Sequence, residues 1–137
     1  MTSFYYLVVG GLVSLLLGGM SLAGNVSSMA DLQKHVHQVA SRVTAATVAL
    51  VSDGGETGSG VIVTPQGLIL TAAHVVGGDE IMRVVFADGR VVKGRVLGAN
   101  FTRDAAMVQI MDGGNYPHVE LGESDGLHVG DFVVALG

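Results

Sequence analysis

No cysteine occurs among the 137 residues. That removes disulfides, cysteine-ligated zinc and thiol nucleophiles together. Positive charge is scarce: Lys and Arg number seven, are dispersed, and sit within a formal net charge of −5. Nucleic-acid-binding domains gather basic residues on one face, so that class is excluded. Charge of either sign is thin, at 14% of residues, and Thr2 to Ala23 carries none. Apolar residues make up 49% of the chain. At this length that suffices for one domain core and is marginal for two.

The uncharged N-terminus reads as a targeting segment. Leu7 to Leu22 is apolar apart from Gly and Ser, and Ser21-Leu22-Ala23 is a small-x-small pattern of the kind signal peptidase accepts. We read residues 1–23 as an export signal cut after Ala23 or as an uncleaved membrane anchor. Phe4 to Ala23 matches the ~20 residues that span a bilayer. Met1 to Tyr6 lacks the Lys or Arg of an ordinary signal, which keeps the anchor reading open. Either reading places the rest outside the cytoplasm, as a periplasmic, secreted or outward-facing anchored protein.

Residues 24–42 read as a linker and an amphipathic helix. Ser28-Met29-Ala30-Asp31 is a capping signature. Met29, Leu32, Val36, Val39 and Val43 recur at spacings of three and four, which predicts a helix from about Met29 to Ser41 packing on the domain that follows. His35 and His37 lie two apart on it and point to different faces, so we read them as solvated rather than as a shared metal site.

Residues 43–137 read as one β domain. Val43 to Val51, rich in Val, Thr and Ala, predicts the first strand. Val61-Ile62-Val63 and Leu68 to Thr71 flank Thr64-Pro65-Gln66-Gly67, where Pro presets φ and Gly supplies a left-handed position. Ile81 to Phe86 and Val91 to Leu97 flank Ala87-Asp88-Gly89-Arg90, a hairpin signal. Lys93 and Arg95 alternate, as on a solvated strand face. Pro117 to Gly122 predicts a short strand or extended segment. His118, beside Pro117, reads as surface, and His128 has no partner the sequence identifies. Ser59 stands between glycines but leads straight into a strand, not into the sharp turn a serine nucleophile needs, so it reads as structural. Gly58 and Gly60 read as close-packing positions.

Two residues carry chemistry. His74 follows Thr71-Ala72-Ala73 at the end of the second strand. A histidine at the rim of a rigid sheet suits a general base. Thirty residues later, Asp104 precedes the apolar run Ala105-Ala106-Met107-Val108-Gln109-Ile110. Taken singly, such residues are ordinary: a surface or core histidine after a hairpin, and a turn aspartate.

Together, Gly58-Ser59-Gly60-Val61-Ile62-Val63, Gly67-Leu68-Ile69-Leu70-Thr71-Ala72-Ala73-His74-Val75-Val76, Arg103-Asp104-Ala105-Ala106 and the closing Leu121 to Gly137 resemble the trypsin-like serine proteases of the HtrA/Deg-like branch. The resemblance implies an all-β fold, a six-stranded antiparallel barrel that is the first of two. It implies that His74 is the catalytic base and that Asp104 orients it. Ala-Ala-Met-Val after Asp104 departs from the usual Leu-Ala-Leu-Leu in size, not polarity. The implied substrates are polypeptides, and no metal or organic cofactor is implied.

The family's Gly-Asn-Ser-Gly-Gly or Gly-Asp-Ser-Gly-Gly motif occurs nowhere here, and neither does a PDZ-like segment. In that family the serine belongs to a second, C-terminal barrel. The sequence therefore leads us to expect a chain truncated at the barrel boundary, inactive alone, with apolar surface that invites oligomerisation. Competing classes are a non-catalytic protease-like binding module and a small membrane-anchored structural protein.

Overall fold

A computed structural model describes residues 23–137. The export or anchor segment expected at 1–23 lies outside the described residues except for Ala23. Among the described residues no helix is long and apolar enough to cross a membrane. The described residues divide into two units, with the boundary between Gln38 and Val39.

The first described element, α1, is Ala23–Ala46. It is longer at both ends than the periodicity predicts. At its C-terminal end it takes in Val43 to Ala46, which the sequence assigns to a strand. Thr44 Oγ1 donates to the Ala40 carbonyl at 2.7 Å, and Thr47 Oγ1 to that of Val43 at 2.9 Å. Threonine hydroxyls bonding back one turn satisfy helical carbonyls despite the low helix propensity of the run. His35 and His37 are exposed, as expected. Val39, assigned to the apolar face, remains half exposed.

Six strands follow: β1 Thr47–Val51, β2 Thr57–Ile62, β3 Leu68–Thr71, β4 Ile81–Val85, β5 Val91–Asn100 and β6 Ala105–Ile110. They close into an antiparallel barrel in the order β1-β2-β3-β6-β5-β4, with β4 pairing back onto β1. This is the expected fold.

Strand alternation decides what faces inward. Val48 and Leu50 of β1, Ile62 of β2, Ile69 of β3, Met82 and Val84 of β4, and Ala106, Val108 and Ile110 of β6 form the core. Register places large residues beside small ones: Val48 opposes Gly60, and Met82 opposes Gly94. The side-chain-free positions leave room for their neighbours in so narrow a barrel.

The two predicted turns form. Gly67 has φ 84° and donates its N–H to the Thr64 carbonyl at 3.0 Å. Gly89 also has φ 84°, and Asp88 Oδ1 accepts the Arg90 N–H at 2.9 Å. β5 continues beyond the predicted Leu97 because a bulge between Val96 and Gly98 lets pairing resume as far as Asn100–Ala105. Pro117 to Gly122 forms no strand, although the Val119 N–H reaches the Ile62 carbonyl at 3.0 Å. Tyr116, 5% exposed, joins the core beside Phe86, their ring centroids 5.8 Å apart.

Candidate active site

Two neighbouring strand ends build the site. β3 ends at Thr71, paired with Ala106 near the start of β6. The chain leaving β3 makes one helical turn, α2, Ala73–Val76, with Ala73 and Val76 buried. That burial fixes the turn and leaves His74 outward. The extended Ala72 precedes it without a side-chain cap, and the Gly77 N–H closes it on the Ala73 carbonyl at 3.1 Å.

Asp104 arrives from the opposite direction. The β5–β6 connection is tight, with Asn100 Oδ1 accepting the Arg103 N–H at 3.0 Å. Asp104 then takes φ 50°, the one positive φ at a non-glycine among the described residues. Aspartate tolerates this left-handed conformation better than most residues.

The structure brings the two predicted site residues together. Asp104 Oδ2 lies 2.7 Å from His74 Nδ1, and Oδ1 lies 3.0 Å from the same nitrogen. Oδ1 also accepts the backbone N–H of His74 at 3.0 Å. A first-turn N–H without an intrahelical partner is thus satisfied by a carboxylate from the turn that precedes β6.

These bonds hold the Asp104 carboxyl below the usual carboxylate range. The largest cause is the His74 backbone N–H, followed by the His74 ring; desolvation pushes the other way, and the His74 charge and the Ala73 N–H add smaller downward contributions. An ionised carboxylate only accepts, so Nδ1 is the donor and carries the proton. Nε2 of the neutral ring is then an acceptor. Among the described residues no hydrogen bond engages it, and the His74 side chain is 73% exposed. The arrangement holds one ring nitrogen fixed and offers the other as a base.

The remaining candidates stand apart. Ser59 lies within β2, its carbonyl accepting the Thr71 hydroxyl at 2.8 Å. His118 is exposed, and its Nδ1 lies 3.1 Å from the Tyr116 carbonyl. His128, unpartnered in the sequence reading, has a neighbour after all: Asp131 Oδ2 accepts its backbone N–H at 2.8 Å and lies 3.9 Å from its ring. Among the described residues no group of three or more His, Asp or Glu side chains is placed to hold a metal ion.

Two open apolar grooves flank the end of β3. One, about 490 Å³, is lined by residues including Thr71, Asn100, Ala105 and Met107; the other, about 430 Å³, by residues including Val43, Val61, Val134 and Leu136. Leu70 borders both. Sequence reasoning missed Val75 as the partner of Gly58. Gly58 is legible as a close-packing position, but what packs on it is not.

Comparison with known proteins agrees with this architecture. The family model described as a trypsin-like peptidase domain matches residues 58–137. The periplasmic serine endoprotease DegP of Salmonella typhimurium is 38% identical over 81 residues, which cover 58% of this chain and 17% of that protein. The crystal structure of the serine endoprotease from Yersinia pestis superposes with a TM-score of 0.62 at 31% identity, over 69% of this chain and 36% of that one. An HtrA-type protease, AlgW with tripeptide, gives 0.61 at 34% identity, over 67% and 31%. The chain thus spans a minor part of the length of the relatives it matches.

Proposed function

The chain belongs to the trypsin-like peptidase family, and from that premise we propose that it is the N-terminal part of an exported, HtrA-like serine endopeptidase acting on polypeptides. The observation that carries the proposal is the His74–Asp104 pair, closed at 2.7 Å on Nδ1 with Nε2 left open. A binding module needs no such orientation.

In this reading His74 Nε2 takes the proton of a serine hydroxyl as its oxygen attacks the scissile carbonyl. The imidazolium that forms is stabilised by Asp104, which keeps its charge. Nε2 then gives the proton to the departing amine, leaving an acyl-enzyme. Water repeats the sequence through the same nitrogen and releases the acid. The serine and the donors that stabilise the oxyanion belong to a second barrel, outside these 137 residues. That barrel docks beside His74, where the apolar grooves leave Met107 44% exposed. Periplasmic relatives such as DegP support export. Residues 1–23 supply the signal, or anchor the protein through residues 4–23, and apolar surface left uncovered invites oligomers.

Lacking nucleophile and oxyanion donors together, the 137-residue chain is expected to cleave no casein. Loss of a triad nucleophile alone costs on the order of 10⁶ in kcat. Casein hydrolysis by the purified chain, abolished by His74→Ala, would refute the two-barrel reading.

A further inference from the structure

The turn that carries His74 has no side-chain cap at Ala72 and spans only four residues, so it needs something to rest on. That support is in β2. A methyl placed on Gly58 would stand 2.4 Å from Val75 Cγ2, 2.6 Å from Cγ1 and 3.0 Å from Cβ. Ordinary carbon contacts fall near 3.5–4.0 Å, so the Val75 side chain sits directly on the Gly58 backbone. Val75 is the residue after His74. On the other side of His74, the Thr71 hydroxyl is fastened to the Ser59 carbonyl at 2.8 Å. The dipeptide Gly58-Ser59 therefore holds the chain both before and after the histidine.

We infer that Gly58 is a positioning residue for His74: its missing side chain lets Val75 seat on β2 and so sets the approach of the imidazole to Asp104. The functional weight of this rests on the reading of His74 as the base. A methyl at position 58 has no cheap accommodation. Rotating Val75 about χ1 exchanges one γ position for another and leaves Cβ at 3.0 Å. The turn itself must lift, by about 1 Å to restore ordinary contact. The His74 N–H to Asp104 Oδ1 bond, now 3.0 Å, does not survive a shift of that size.

Asp104 reports the displacement, because the His74 backbone N–H is the leading cause of its lowered pKa. The test is a carboxyl ¹³C NMR titration of Asp104 in the 137-residue chain. Gly58→Ala is expected to raise its midpoint toward the ordinary aspartate value, and Gly58→Ala/Val75→Ala, which removes both γ contacts and leaves only the 3.0 Å Cβ contact to relax by a few tenths of an ångström, to bring it back down. Gly60→Ala serves as the control. Its methyl meets Ile69 Cγ2 at 2.6 Å and Leu50 Cδ1 at 3.1 Å, so it is expected to lower Tm without moving Asp104.

A folded Gly58→Ala chain with an unmoved midpoint overturns the inference, as does a double variant that fails to restore it. If Gly58→Ala alone does not fold, the double variant decides. Folded with the original midpoint, it supports the inference; unfolded, it overturns it. The titration reads geometry whether or not His74 acts on a substrate. Failure of the protease reading would appear instead in activity assays of His74→Ala, so the two are separable.

Discussion

Asp104→Asn tests the pair at the level of single protons. The carboxylate accepts twice at His74: from the backbone N–H at 3.0 Å through Oδ1, and from Nδ1 at 2.7 Å through Oδ2. An amide keeps only one accepting oxygen. If that oxygen stays on the backbone N–H, the NH₂ group faces Nδ1. If it turns to the ring, the NH₂ group faces the backbone N–H, and two donors collide about 3.0 Å apart. The backbone cannot give up its proton, whereas a neutral imidazole can move its own from Nδ1 to Nε2. The first arrangement therefore wins, and the ring adopts the tautomer with Nε2 protonated. That nitrogen can no longer act as a base, and in the intact peptidase kcat should fall about 10⁴-fold. The tautomer is readable without any catalysis, from ¹⁵N shifts of the His74 ring in alkaline solution. The unsubstituted chain should show Nδ1 protonated, and the variant Nε2 protonated. Retention of the Nδ1–H form in Asp104→Asn would refute the reasoning.

Other consequences follow from the same geometry. Asp104 binds a proton less readily folded than unfolded, so its contribution to stability is complete above the unfolded value of about 3.9 and is lost as pH falls through the lower folded value. The gap in urea midpoint between the unsubstituted chain and Asp104→Asn should be constant near neutrality and close in acid; a gap that widens on acidification would contradict it. Ile69, fully buried between Ile62 and Val108, should cost about 2–5 kcal/mol as Ile69→Ala in urea unfolding, and a loss below ~1 kcal/mol would mean the barrel interior is not packed as described. Gly94→Ala drives a methyl to 2.7 Å from Val108 Cγ1 and 2.8 Å from Val84 Cγ2, and overpacking of that kind should cost about 1–3 kcal/mol in the same assay.

Much of the barrel is legible in the sequence because its signals are local. Thr64-Pro65-Gln66-Gly67 and Asp88-Gly89 dictate turns through backbone conformation alone, and strand alternation then sorts inward from outward residues. His74 and Asp104 are legible only through the resemblance carried by their flanking motifs; taken singly each is an ordinary residue beside a strand, and their meeting depends on the pairing of β3 with β6. What escaped depends on tertiary partners. Val43 to Ala46 has strand-like composition, yet the hydroxyls of Thr44 and Thr47 bond back one turn and close a helix end. Tyr116 looks like a loop residue, but it fills the barrel beside Phe86, with its hydroxyl donated to the Asp112 carbonyl at 2.9 Å. The length of β5 depends on a bulge that no residue announces. The seat of Val75 on Gly58 joins residues seventeen positions apart, which periodicity does not connect.

The central claim is that His74 serves a serine carried on a second barrel. It is tested most directly by capturing the protein from its natural source with an antibody against residues 43–137 and treating it with a fluorophosphonate probe. The account predicts a labelled species well above 14.0 kDa that hydrolyses casein, with labelling and hydrolysis both lost on His74→Ala. A captured species that takes no label and cleaves nothing, or one whose labelling and hydrolysis persist after His74→Ala, would contradict it.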